Sequence, residues 1–284
     1  MIGADYCLII LAMNQNNINC IKKKHFKKLK QYALLLSKDF DQEAIHRFRV
    51  EYKKLRAFVR LGSLSLDIPN KVKMSKKLKN WYIVFGHLRD LQLQRQRIIS
   101  VLEIAPANPH GYIDFLNYEI IKLKNTLSEK CFEAAIKKNE KKINKGFPEK
   151  ISKSNCLKFV TRNLLMVYQI LLKGYMDDLD FHAVRKYLKD IFYYLADDKL
   201  SLSDIEPSTI FNSIDDSFLK SLLEELGKFQ DLCTAIVLLK STSLDAFTLE
   251  EQNILVQLNK QWVQEKEQLS KNFNSILKGE NCAA

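Results

Sequence analysis

Apolar residues recur three and four positions apart through most of the chain, which is the period of an amphipathic α-helix. Ile45, Phe48, Tyr52, Leu55 and Val59 form one such stripe, and Phe181, Val184, Leu188, Ile191 and Leu195 form another at the same offsets. Helix breakers fall between the periodic stretches: Gly62 and Pro69; Pro106, Pro109 and Gly111; Gly146 and Pro148; Gly174; and Pro207. The pattern predicts eight helices, over residues 18–37, 41–61, 71–103, 110–145, 152–173, 179–197, 214–241 and 247–278. A total of only 8 Gly and 5 Pro suits long helices with few turns. Asp41, Asp178, Asp180, Asp215 and Asp216 stand where N-caps or first-turn acids are wanted.

The face opposite the first apolar stripe is cationic. His46, Arg49, Lys53 and Arg56 follow one another at offsets of 3, 7 and 10. At about 100° per residue these fall within about 80° of the leading histidine. The second stripe repeats the arrangement with His182, Arg185 and Lys189, starting 136 residues after His46. A greasy back must pack into a core and a charged front cannot. A single basic face is the ordinary surface of an amphipathic helix. Two copies in matched register, each led by a histidine, ask for more, because solubility needs neither histidine nor register.

A second pair of segments repeats at a similar distance. Gly86 and Gly227 lie 141 residues apart, each within a periodic stretch and each followed four residues later by an acid, Asp90 and Asp231. Glycine inside a helix costs about 1 kcal/mol relative to alanine, so its presence points to the close approach of another group. The two repeats predict an all-α fold of two antiparallel four-helix bundles. An internal duplication would place the first in residues 1–147 and the second in residues 148–284.

Charge sharpens the picture. The chain has 284 residues and a net charge of +12, yet Asp197 onward holds 8 Lys and 15 acids. Residues 1–196 therefore carry 37 Lys and Arg against 18 acids, and an anionic partner belongs to the first two thirds. Six dispersed cysteines with no C-x-x-C pair indicate neither a zinc site nor a disulfide framework. No metal or cofactor is expected; Asp178, Asp180 and His182, spaced by two at a helix start, do not converge their side chains. The apolar segment 7–13 is too short to cross a bilayer and lacks the flanks of a signal peptide, so a cytoplasmic protein is expected.

The run His46-x-x-Arg49-Val50-x-x-Lys53-x-Leu55-Arg56, the Gly86-x-x-Arg89-Asp90-Leu91 segment, and the partial copies at 182–189 and 227–232 together resemble the CHAD family, the conserved histidine α-helical domain. The resemblance covers residues 18–278. It implies a pair of four-helix bundles related by pseudo-two-fold symmetry and a basic central groove that binds inorganic polyphosphate. A separate triphosphate tunnel enzyme or polyphosphate granule proteins are the implied partners, and polyphosphate granules a possible location. Carried over residue by residue, it assigns His46, Arg49, Lys53, Arg56, Arg89, His182, Arg185 and Lys189 to the anion. Gly86, Gly227, Asp90 and Asp231 take supporting roles, the two acids orienting Arg or His side chains. The second half departs from the motif, with Phe192 and Gln230 where basic residues are expected, so the first half should carry more of the affinity.

Chemistry agrees with that implication. A flexible polyanion without bases needs a dense line of donors; arginines give bidentate bonds to phosphate and lysines give mobile point charges. Lys27, Lys28, Lys158 and Arg162 are further candidates, while His25, His87 and His110, without repeat partners, read as packing or surface residues. The alternative ligand is nucleic acid, since any polyanion is attracted to basic charge. Against it, the aromatics Phe48, Tyr52, Phe181 and Phe192 track the packed face or its margin, which leaves no stacking platform among the cations. A phosphohydrolase or phosphotransferase would need clustered carboxylates for Mg²⁺ or a glycine-rich phosphate loop, and the sequence has neither. A non-enzymatic binding module is the expectation.

Overall fold

The computed structural model describes residues 12–66, 72–102, 110–128, 132–198 and 216–277. Among these residues the architecture is all-α, with nine helices: α1 Gln15–Leu36, α2 Gln42–Ser63, α3 Lys76–Leu102, α4 His110–Ser128, α5 Phe132–Gly146, α6 Lys153–Leu171, α7 Asp178–Asp198, α8 Asp216–Lys240 and α9 Leu249–Leu277. Seven of the eight helices expected from periodicity match an observed one to within a few residues. The stretch 110–145, expected to be continuous, is instead α4 and α5. Phase explains the difference: buried Ile120 and Leu127 lie on one face of α4, but Phe132 follows Leu127 by five residues. Five residues turn a helix by about 500°, so Phe132 would point about 140° away from that face. No glycine or proline marks the change. Pro69, Pro106, Pro109, Pro207 and Asp215 lie outside the described residues.

Side-chain caps fix several helix starts. Asp41 Oδ2 accepts from the Ala44 N–H at 2.9 Å, as expected for α2. At α7, Asp178 and Asp180 stand in the first turn, as expected, and the cap itself is Asp177: its Oδ1 accepts from the Asp180 N–H at 2.8 Å, and Asp180 Oδ2 accepts in return from the Asp177 N–H at 3.4 Å. This reciprocal pair is a capping box. Ser152 caps α6 through the Asn155 N–H at 3.1 Å, and Thr248 with Glu251 forms a second box at α9. Gly174, between α6 and α7, has φ +76°, a left-handed conformation that side chains with a β-carbon resist.

The chain forms two compact units, each built from three segments. One gathers Met1–Leu29, Val50–Ser75 and Ile136–Leu226, the other Lys30–Arg49, Lys76–Ala135 and Gly227–Ala284. In the first unit α6 packs along α7. Phe58 stacks on Phe147 at 5.0 Å, Phe159 meets the edge of Tyr194 at 6.2 Å, and Met13 pairs with Ile151 in an isolated antiparallel bridge. In the second unit Phe40, Phe48, Trp81, Phe85 and Phe132 interlock, edge to face except for the tilted Phe40–Phe85 pair. A further core there joins Ile98, Tyr112, Leu116, Leu232, Leu255 and Trp262 from α3, α4, α8 and α9. Edge-to-face contacts add to the area these rings bury.

Candidate anion-binding site

Both repeated helices bury the back that their sequence predicts. On α2, Ile45, Phe48, Tyr52, Leu55 and Val59 are at most 3% exposed; on α7, Phe181, Val184, Leu188, Ile191 and Leu195 are equally buried. The fronts stay accessible: His46, Arg49, Lys53 and Arg56 are half-buried, as are Arg185 and Lys189, and His182 is exposed. Helical geometry thus separates apolar from cationic residues on a single element.

In the second unit, Arg49 is held by α3. Its Nη1 donates to the Tyr82 carbonyl at 2.5 Å, and its guanidinium lies 4.5 Å from the centre of the Tyr82 ring. Gly86, one turn further on, supplies the room: a β-carbon there would collide with the Arg49 guanidinium. The two sequence motifs therefore meet, and the close approach expected at Gly86 is that of Arg49. Arg89 donates from Nη1 to the Gln42 carbonyl at 3.2 Å. Burial lowers its pKa against the attraction of Asp231, while the nearby Arg49 adds to the lowering. Burial likewise raises Asp90 above the usual carboxylate range, opposed by Arg49 and His87. Asp90 is half-buried and Asp231 exposed; both act on Arg89 through their charge. Gly227 lies within α8, half-buried.

In the first unit the candidate cations come from four helices: Lys27 and Lys28 on α1, Lys53 and Arg56 on α2, Lys158 and Arg162 on α6, and His182, Arg185 and Lys189 on α7. Lys158 and Arg162 are exposed; on α1, Lys27 is exposed and Lys28 half-buried. Arg56 lies over the Tyr52 ring at 5.9 Å and Lys189 over Tyr193 at 5.9 Å. The Nε of Arg185 is buried with no hydrogen-bond partner among the described residues. A buried donor left in that state is costly. Phe192, at the position where a cation was expected, is half-buried against Tyr193.

Sequence reasoning missed two groups in this unit. Arg60 forms a short ion pair with Asp190 of α7. It lies 14 residues after His46, an offset that continues the α2 stripe. Burial raises the Asp190 pKa, against the pull of Arg60, Arg56 and Lys186. The other group is centred on His25, expected to be an ordinary packing or surface residue. It is fully buried, with Nδ1 2.6 Å from Glu51 Oε1 and Nε2 2.7 Å from Asp197 Oδ2. Lys24 reaches the other Asp197 oxygen at 2.8 Å. Burial alone would lower the His25 pKa, but the bonds from Asp197 and Glu51 outweigh it and hold the imidazole above its ordinary value. No local signal announces this pairing, because Asp197 is 172 residues away.

Among the described residues no group of three or more His, Cys, Asp or Glu could hold a metal ion, and no helix is long and apolar enough to cross a membrane. The all-helical architecture and the two repeated helices, each with an apolar back and a cationic front, define the class of fold. The CHAD domain model matches residues 21–240, more than three quarters of the chain, and the protein belongs to that family. In structure it is similar to the crystal structure of the CHAD domain from the plant Ricinus communis, with a TM-score of 0.61 at 15% identity, covering 99% of this chain and 97% of that one. At that identity the likeness concerns the fold. No curated protein matches the sequence.

Proposed function

We propose that this CHAD domain binds inorganic polyphosphate without chemically altering it. The observation that carries the reading is how the acids on the two repeated helices are engaged. Glu43 pairs with Arg47, Glu51 with His25, Asp180 with Lys173, Asp190 with Arg60, and Asp197 with His25 and Lys24. These five acids of α2 and α7 are thus hydrogen-bonded to side chains outside the two repeated cation sets. His46, Arg49 and Arg89 form one set and Lys53, Arg56, His182, Arg185 and Lys189 another, with Lys27, Lys28, Lys158 and Arg162 in reserve. A long flexible chain with a charge on every phosphate suits several such sets, since it presents no base to stack or read. The same reading takes the setting as cytoplasmic, with a polyphosphate granule protein or a separate triphosphate tunnel enzyme as partner.

Calorimetric titration with polyphosphate of defined length, set beside a DNA duplex at matched phosphate concentration, tests the reading. Polyphosphate should bind the more tightly, and incubation should release no orthophosphate. Preferential duplex binding would favour the nucleic-acid alternative, and steady phosphate release would make the protein an enzyme. Arg56→Ala should weaken binding by about 1–3 kcal/mol, the scale of a lost charge-assisted bond. Arg185→Ala should cost less, because its half of the sequence is poorer in cations.

A further inference from the structure

The first unit contains a cavity of about 390 Å³ whose wall is chemically divided. Arg60, Lys73, Arg162 and Lys186 supply cations, of which Lys73, Arg162 and Lys186 are exposed at the rim. Leu64, Val72, Phe159 and the ring of Tyr187 supply apolar surface, with Val72 and Phe159 at most 8% exposed. Asp190, 5% exposed, adds a carboxylate that accepts from Arg60. The cavity is built firmly: Ser63 Oγ lies 2.9 Å from the Val72 carbonyl, which ties that wall to α2, and Asn163 donates to the Phe159 carbonyl at 2.7 Å.

Inorganic polyphosphate matches only the rim of this cavity. It has no apolar part to place on Leu64, Val72 and Phe159, and a carboxylate repels it. A carboxylate does accept from hydroxyl and amino groups, and an apolar wall with an aromatic ring suits a flat organic body. We infer that the cavity is a second ligand site, selective for a nucleoside phosphate. Its phosphates sit against Lys73, Arg162 and Lys186, its base lies on the apolar wall, and a hydroxyl or amine donates to Asp190. The volume is in the range of small-molecule sites, about 300–1,000 Å³. The inference goes beyond polyphosphate binding and concerns a different ligand class, although Arg162 serves both.

Calorimetry with ATP in magnesium-free buffer tests it, using wild type, Arg162→Glu, Lys186→Glu, Tyr187→Ala and Arg49→Ala. Wild type should take up one ATP per chain. Arg162→Glu and Lys186→Glu, both at exposed positions, should weaken ATP at least tenfold; Arg49→Ala should leave it within twofold. Tyr187→Ala should weaken ATP while leaving inorganic tripolyphosphate unaffected, and tripolyphosphate should displace ATP only at tenfold or greater excess. Absence of saturable ATP binding at millimolar concentration would overturn the inference. So would ATP affinity unchanged by both charge reversals, or displacement of ATP by equimolar tripolyphosphate. A protein that binds ATP in this way but not long polyphosphate would keep this site and lose the proposed function; the converse result would do the opposite.

Discussion

A β-carbon at position 86 would meet the guanidinium of Arg49, the far end of a flexible side chain. Within α3, alanine is favoured over glycine by about 1 kcal/mol, so Gly86→Ala should leave thermal stability unchanged or slightly higher. It should nevertheless push Arg49 off Tyr82 and weaken polyphosphate binding, by no more than Arg49→Ala does, about 1–3 kcal/mol. Melting curves and calorimetry on the two variants check both halves of that expectation. Equal affinity in Gly86→Ala and wild type would mean that the seat on Tyr82 does not matter for the ligand. At this scale the sequence was informative where a rule was broken: a glycine inside a helical pattern pointed to a close approach. It could not say that Arg49 was the group approaching, since that contact joins residues on different helices.

Between elements, the charged group around His25 ties α1 to α2 and α7 within one unit. The His25 pKa is raised above 6.5, so its contribution to stability is complete below pH 6.5 and is lost as pH rises through the higher folded value. Although burial opposes it, the bonds from His25 and Lys24 hold Asp197 below 3.8; its contribution is present above pH 3.8 and disappears as pH falls through the lower folded value. The group therefore stabilises most between these limits. Chemical denaturation should show the stability difference between wild type and His25→Gln shrinking from pH 6.5 towards pH 9. At pH 6 the substitution should cost about 3–5 kcal/mol, as when one partner of a buried ion pair is removed. A difference that stays constant over that range would mean that His25 is neutral when folded. Helix positions and apolar faces were legible because they depend on local periodicity. The α4–α5 break was encoded only as a phase change, and the Asp177 cap lies one residue before the first-turn acid Asp178. The His25 group depends on a residue 172 positions away, which no local pattern reveals.

Across the whole molecule, charge is distributed unevenly enough to govern binding. Residues 1–196 carry a formal +19 and the remainder −7. If the cationic sets neutralise several phosphates, polyphosphate affinity should fall steeply with added salt, by analogy with ion release from other polyanions. Histidine adds a second dependence, since an imidazolium attracts phosphate and a neutral imidazole does so weakly. With His46 on the accessible front of α2, affinity should drop as pH rises from about 6 to about 8. His46→Ala should reduce that pH dependence while retaining most of the salt slope, because the arginine and lysine charges persist. A shallow salt dependence would remove the electrostatic basis of the proposed function. A steep salt dependence with no pH dependence would keep polyphosphate as the ligand and leave the repeated histidines a structural role, with the arginines and lysines doing the binding.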